Sequence, residues 1–207
     1  MKNTNNPIIG VFILIPVLFL SGCKKSDPTP ENVPELITKA TMTFTPTSGS
    51  AGIPVVVTAT DPDNIGAQDI KVDGAIGLTK GITYTLSIQL VNELYKTTEA
   101  GYDVSKEIEN QSYEHQFFFS WSTGLFLNPT GDGNIDNRND PLNYGSTLDK
   151  NGLPVGLTTN WTTSSTPSTG SNSFRILLKH QPDIKSKTST SGDGESDLDL
   201  TFNISVN

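Results

Sequence analysis

Residues 196–207 read SDLDLTFNISVN, and this stretch decides the fold class of the chain. Every second residue from position 198 is apolar, and such a period of two is typical of a β-strand with one buried face. The segment 82–91, ITYTLSIQLV, follows the same rule. We therefore predict two long strands that each turn one face to a core. Their inward residues are Leu198, Leu200, Phe202, Ile204 and Val206, and Tyr84, Leu86, Ile88 and Leu90.

Shorter segments show the same alternation, and the only helix-like stretch is VSKEIEN at 104–110. Segment 113–121 is almost wholly apolar, which predicts a central strand covered on both faces. About eight or nine strands with so little helix indicate an all-β chain, folded as a single antiparallel β-sandwich. An immunoglobulin-like topology is one option for it. The shorter strands are predicted at 38–45, 54–60, 69–72, 155–161 and 174–178.

The N-terminus has the three parts of an export signal. Lys2 supplies positive charge, residues 8–20 form an apolar run, and small residues precede Cys23. The run is shorter than the ~20 helical residues needed to span a bilayer core. Leu20-Ser21-Gly22-Cys23 resembles the lipobox of bacterial lipoproteins. This resemblance implies a signal peptide at 1–22 that is removed, and acyl chains such as palmitate on Cys23 that anchor the protein to a membrane.

A polar, proline-bearing segment follows the cysteine. Residues 24–35, KKSDPTPENVPE, bury too little apolar surface to fold, so we predict a flexible tether at 23–36 and a β-sandwich domain at 37–207. Lys24 and Lys25 differ from the aspartate that marks inner-membrane retention in some bacterial lipoproteins. The expected location is therefore the cell envelope, at the outer membrane, with the periplasmic or external face left open.

The domain also resembles a group of uncharacterised small lipoproteins from Bacteroidota-type bacteria. The resemblance covers most of the chain after Cys23. Since that group has no assigned activity, it implies only the lipid anchor and the β-sandwich. The segments that carry it are GITYTLSIQLVNE (81–93), EHQFFF (114–119), DKNGLPVGLTTNWTT (149–163) and LLKHQPD (177–183).

Charge and cysteine content exclude several classes of function. The chain has 14 basic and 22 acidic residues, so removal of Lys2 with the signal leaves 13 − 22 = −9. A body this acidic would repel nucleic acid. Cys23 is the single cysteine, which excludes disulfides and cysteine-based zinc sites. The usual catalytic motifs are missing from the sequence. We therefore predict a non-catalytic binding or scaffolding module with a protein or glycan partner; a hydrolase with unrecognised carboxylates is the more distant alternative.

The two histidines, His115 and His180, share strand faces with apolar neighbours. One opens its predicted strand and the other closes its own, so antiparallel neighbours would bring the two imidazoles together at one rim of the sandwich. Two imidazoles can bind a transition metal or ligate haem iron. Asp183 or Tyr113 could complete such a site. The alternative is that each histidine caps the core edge and hydrogen-bonds a backbone carbonyl.

A second candidate site is the acidic loop GDGNIDNRNDPLN at 131–143. Asp132, Asn134 and Asp136 follow the spacing that places alternate oxygens around Ca²⁺, with Asp140 as a further ligand. The loop departs from the EF-hand pattern, because position 137 lacks glycine, position 143 lacks glutamate and no helices flank it. The alternative is an acidic, glycine-rich turn.

Two weaker candidates remain. Asp61 and Asp63 could share an ion, although both residue types are common in turns. Trp121 and Trp161 match the parity of their apolar neighbours, which predicts core packing rather than carbohydrate stacking. The tyrosines expected in surface contacts are Tyr95, Tyr102 and Tyr144.

Overall fold

The computed structural model describes residues 35–47, 52–61, 70–145 and 147–207. The predicted signal peptide, Cys23 and the tether up to residue 34 lie outside these residues. Across the described ranges, no helix combines the length and apolar character that a membrane crossing requires. The elements are β1 (Lys39–Pro46), β2 (Val55–Thr60), β3 (Lys71–Asp73), β4 (Ile76–Leu78), β5 (Thr83–Val91), α1 (Val104–Asn110), β6 (His115–Trp121), β7 (Phe126–Asn128), β8 (Thr158–Thr163), β9 (Ser173–His180) and β10 (Glu195–Val206).

Two sheets pack face to face, so the predicted β-sandwich is confirmed. In the described residues one sheet has the order β3-β2-β1-β5-β8-β7 and the other the order β4-β10-β9-β6. This six-plus-four arrangement differs from the four-plus-three sheets of a constant-type immunoglobulin domain. The described strands number ten rather than eight or nine, because β4 and β7 have three residues each and are too short to show alternation. β4 pairs parallel with β10, so the pairing is not purely antiparallel.

The core between the sheets is rich in aromatic rings. Trp161 is fully buried, with its ring centroid 5.0 Å from that of Phe174 and 5.5 Å from that of Phe119. Trp121 approaches Trp161 edge to face at 5.0 Å. Such pairs are each worth ~0.5–1.5 kcal/mol beyond the area they bury. The prediction that both tryptophans pack in the core is therefore confirmed.

Strand β6 lies at the edge of its sheet, which corrects the prediction of a central strand. Both of its faces are nevertheless covered, since Phe117 and Phe118 are fully buried. The open edge is covered by later chain: Phe117 N–H donates to Val155 O (2.7 Å) and Trp121 N–H donates to Asp132 O (2.8 Å). This cover explains how an edge strand can be almost wholly apolar without promoting association.

The pairing of β9 with β6 and β10 brings polar residues of all three strands together at one end of the sandwich. His180 lies directly opposite His115 on β6 and opposite Glu195 on β10. A β-bulge between Ser196 and Leu198 leaves Asp197 outside the regular pairing. Bulges re-aim side chains, and this one explains why the Asp197 side chain is buried although the parity of β10 points it outward.

Gly194 sits in the turn that leads into β10, and its φ of +76° puts it in the left-handed region. A Cβ atom at this position would lie 2.1 Å from His180 O. Gly170 is a matched control, because its φ is +73° and it has open space around the Cβ position. Alanine at either glycine carries a backbone penalty of ~1–2 kcal/mol, whereas only Gly194→Ala adds a clash with backbone.

We therefore expect Gly194→Ala to lower the free energy of unfolding by about 1–3 kcal/mol more than Gly170→Ala does. Urea denaturation of the two variants measures this difference through the transition midpoints. Equal losses in both variants would contradict the close approach of Gly194 to His180.

Candidate metal centre

The two histidine rings stack on each other. Their centroids are 4.5 Å apart and their planes differ by 3°. The His115 side chain is 0% exposed and that of His180 is 10% exposed. The condition set from sequence, that the two strands be antiparallel neighbours, is met by β6 and β9, and the two imidazoles lie together at a rim of the sandwich. Two imidazolium rings in this contact would repel each other, so the stack favours at least one neutral ring.

His115 is held as a neutral ring with one nitrogen available. Its Nδ1 lies 3.1 Å from Gln111 O, just beyond the end of α1, and a proton on Nδ1 makes this a hydrogen bond. Burial lowers the pKa of His115 to about 4, although the bond to Gln111 opposes the shift. The Nε2 atom is buried and has no hydrogen-bond partner within the described ranges. His115 therefore presents a lone pair at Nε2 at neutral pH.

In His180 the nitrogen with a partner within the described residues is Nε2, and the nitrogen without one is Nδ1. Its Nε2 lies 3.4 Å from a Glu114 carboxylate oxygen, whereas Nδ1 is buried without a hydrogen-bond partner among the residues described. A carboxylate or carbonyl on the far nitrogen is the usual support of a metal-binding histidine, because it fixes the tautomer and the ring orientation. Glu114 and Gln111 give this support to His180 and His115 respectively.

Asp197 is a site residue that the sequence analysis missed. Its Oδ2 lies 3.6 Å from His115 Nε2, and its side chain is 0% exposed. Oδ1 accepts the N–H of Glu35 at 3.3 Å, while Oδ2 lacks a hydrogen bond from any part of the chain that the structure describes. Burial raises the pKa of Asp197 to about 7, partly opposed by the Glu35 N–H.

The residues proposed from sequence to complete the histidine pair are not part of this cluster. Asp183 is exposed. The Tyr113 ring instead lies under the Lys150 ammonium, with Nζ 3.4 Å from the ring centroid. Asp197 could not be predicted as a member of the cluster, because regular alternation would have turned it toward solvent and only the bulge in β10 turns it inward.

Three ligand atoms, one each from His115, His180 and Asp197, lie within 4.8 Å of one another. Zinc bonds of about 2.0–2.1 Å put tetrahedral ligand atoms about 3.3 Å apart. Binding of one ion by all three residues therefore requires the ligand atoms to move closer and the two parallel rings to tilt toward the ion. Buried polar atoms without partners are rare and destabilising. A cation bound among the three atoms would satisfy all of them together.

Glu35 lies beside this cluster, although the sequence analysis assigned it to the tether. Its Oε1 is 3.9 Å from His115 Nε2, and its side chain is 15% exposed. Burial, followed by the negative charge of Glu107, raises the pKa of Glu35 to about 7. No pattern in the sequence could have placed Glu35 here, since its backbone hydrogen bond to Asp197 joins positions 162 residues apart.

A buried ion pair supports the backbone of His115. Lys185 Nζ donates to Ser112 O (2.7 Å) and His115 O (2.8 Å) and lies 3.0 Å from Asp149 Oδ2. Burial lowers the pKa of Lys185, and Asp149 opposes that shift. Both side chains are 0% exposed. The segment that begins at Lys185 is therefore fastened to the domain at its first residue.

The predicted calcium loop gathers its three aspartates. Ligand oxygens of Asp132, Asp136 and Asp140 lie within 4.8 Å of one another. Asp132 and Asp136 are exposed and Asp140 is partly exposed. Solvated carboxylates on a surface turn account for this arrangement as well as an ion does.

Asn134 uses both ends of its side-chain amide in hydrogen bonds within the domain. Its Oδ1 accepts the N–H of Phe119 (2.9 Å), and its Nδ2 donates to the Tyr144 hydroxyl (2.7 Å). Tyr144 in turn donates to Phe117 O (2.8 Å). Asn134 and Tyr144 thus fasten the acidic loop to β6, so Tyr144 is a structural residue rather than the surface-contact residue expected from sequence.

The remaining sequence candidates contribute little to a site. Tyr95 is 48% exposed, as expected for a surface residue, and Tyr102 is partly buried. Asp61 is buried, while Asp63 lies outside the described residues, so the structure does not report on that pair.

The histidine cluster suits a small cation better than haem. Rings that stack 4.5 Å apart leave no room for a porphyrin between them, so the two histidines cannot be opposite axial ligands in this arrangement. The near-complete burial of His115 and Asp197 also leaves little access for a substrate.

Comparison with known proteins adds no family to this description: no family model, curated protein or solved structure matches the chain.

Proposed function

We propose that this protein binds a divalent transition metal ion, zinc foremost, through His115 Nε2, His180 Nδ1 and Asp197 Oδ2. The observation that carries the proposal is that ligand atoms of three residues lie within 4.8 Å of one another, and that each of these residues has a buried polar atom without a hydrogen-bond partner in the described structure. Imidazole nitrogens combined with a carboxylate suit zinc, copper, nickel or iron, whereas calcium and magnesium prefer oxygen ligands alone.

The proposed role of the ion is non-catalytic. The side chains of His115 and Asp197 are fully buried and that of His180 nearly so, which leaves little access for a substrate. His115 and His180 also have carbonyl and carboxylate partners on their far nitrogens, as metal-binding histidines generally do. An ion bound to the folded state alone would also stabilise the domain. We therefore place the protein among binding modules rather than enzymes.

The lipobox resemblance supports a location for this module. If Cys23 is acylated, the domain is displayed at the cell envelope. A lipid-anchored, metal-binding β-sandwich of the envelope is thus the function we propose.

Zinc binding tests the proposed site directly. Zinc should bind the purified full-length chain with one-to-one stoichiometry and raise its melting temperature, since a ligand at 100 times its Kd adds ~2.7 kcal/mol. The double variant His115→Ala/His180→Ala should lose both effects. Asp183→Asn removes an exposed carboxylate close in sequence to His180 and serves as the control that keeps them.

Isothermal titration calorimetry and thermal melting in the presence of zinc make this test, and circular dichroism checks the fold of each variant. Unchanged zinc binding in the double variant would overturn the proposal. A response to calcium that survives loss of both histidines would instead locate an ion at Asp132, Asp136 and Asp140.

Asp197 should make the stability of the metal-free chain depend on pH. Its carboxyl keeps its proton up to about pH 7 in the folded chain, whereas an unfolded aspartate loses it near pH 4. The folded state therefore loses stability as pH rises between these values. Asp197→Asn removes that loss, so the metal-free variant should be more stable than the native chain at pH 8, by a few kcal/mol in order of magnitude, and similar at pH 4.

Urea denaturation with a chelator present, at pH 4 and pH 8, measures this difference. The same variant should lose zinc binding, as expected of a residue kept for a ligand at the expense of stability. Destabilisation of Asp197→Asn at both pH values would show that Asp197 is a structural residue instead.

A further inference from the structure

We infer that Glu35 is the fourth ligand of the ion, so that metal binding fastens the segment before β1 to the opposite sheet. The inference rests on the proposed metal site and adds to it a ligand, a coordination number and a mechanical consequence. Two imidazoles and two carboxylates would complete a tetrahedral set for zinc.

The position of Glu35 supports this role. Its Oε1 is 3.9 Å from His115 Nε2, and its backbone N–H donates to Asp197 Oδ1 at 3.3 Å. One residue thus contacts two of the three other ligands, once through the side chain and once through the backbone. The Glu35 Oε1 to His115 Nε2 distance of 3.9 Å exceeds the tetrahedral spacing of about 3.3 Å by about 0.6 Å, and Glu35 lies outside the group of three residues whose ligand atoms are all within 4.8 Å of one another. A side-chain rotation covers such a difference.

The sheet topology shows what binding of the ion by Glu35 would connect. His115, His180 and Asp197 all belong to the sheet β4-β10-β9-β6, whereas Glu35 precedes β1 of the other sheet. The chain after Glu35 is already held on that other sheet, because Thr38 N–H donates to Val91 O (3.0 Å) and Thr38 O accepts from Asp61 N–H (2.8 Å). An ion held by all four ligands would therefore join the two sheets at this end of the sandwich.

The same residue lies at the junction with the predicted tether. Glu35 is 12 positions after Cys23 in the sequence, so the closing ligand comes from the part of the domain nearest the proposed lipid anchor. Metal occupancy would thereby set how firmly the chain leaving the anchor is attached to the domain.

The test compares Glu35→Gln with Glu107→Gln in the full-length chain, purified in detergent. Both variants remove a negative charge from the same neighbourhood, since the Glu107 charge acts on Glu35, but only Glu35 approaches His115. We expect Glu35→Gln to lower zinc affinity by about tenfold or more and to alter the visible spectrum of bound Co²⁺. Glu107→Gln should change affinity by less than about threefold, a shift of the size that rim charges produce, and leave the spectrum unchanged.

Hydrogen exchange gives a second measurement that does not depend on affinity. Zinc should slow exchange at residues 36–38 in the native chain but not in Glu35→Gln. If Glu35→Gln and Glu107→Gln behave alike in affinity, spectrum and exchange while the double histidine variant loses zinc, Glu35 is not a ligand and the three-ligand site stands. If the native chain binds no zinc, both the site and its fourth ligand are overturned.

Discussion

The pairing of β9 with β6 on one side and β10 on the other is the constraint on which the site depends. The register sets His180 directly opposite His115. A shift of one residue would turn one ring to the far face of the sheet. The register is in turn fixed by the core, because Phe117 pairs with Leu178 and Phe119 with Ile176 on the inward face. Packing of the apolar core therefore determines the spacing of the two imidazoles.

A second constraint is the cost of burying polar groups. His115, Asp197 and Glu35 have pKa values displaced toward their neutral forms, mainly by burial. The folded chain tolerates this cost because Lys185 and Asp149 hold the backbone at His115 and because the sandwich core is large. The buried groups that lower the stability of the metal-free chain are thus the same groups that would bind a cation. Functional sites often carry such a cost in stability.

Alternation in the sequence predicted the long strands, the tryptophan core and the inward faces of the two histidines, because all three follow from strand parity; the two rings meet because β6 pairs antiparallel with β9. Three features could not be predicted in this way. Asp197 is turned inward by a bulge, which alternation does not reveal. Strands β4 and β7 are too short to show a period. Glu35 and Lys185 reach the site through contacts between distant parts of the chain, and their local sequences are typical of solvated segments.

The bulge in β10 has a consequence for how such a site arises. Asp197 is one extra residue between two regular pairs, Ser196 with Lys179 and Leu198 with Leu178. Loss of this single codon would leave an unbroken ladder with every core side chain in place, and gain of it would restore the carboxylate. In evolution the cluster can therefore appear or vanish by an insertion or deletion of one residue, while the sandwich that carries it persists unchanged.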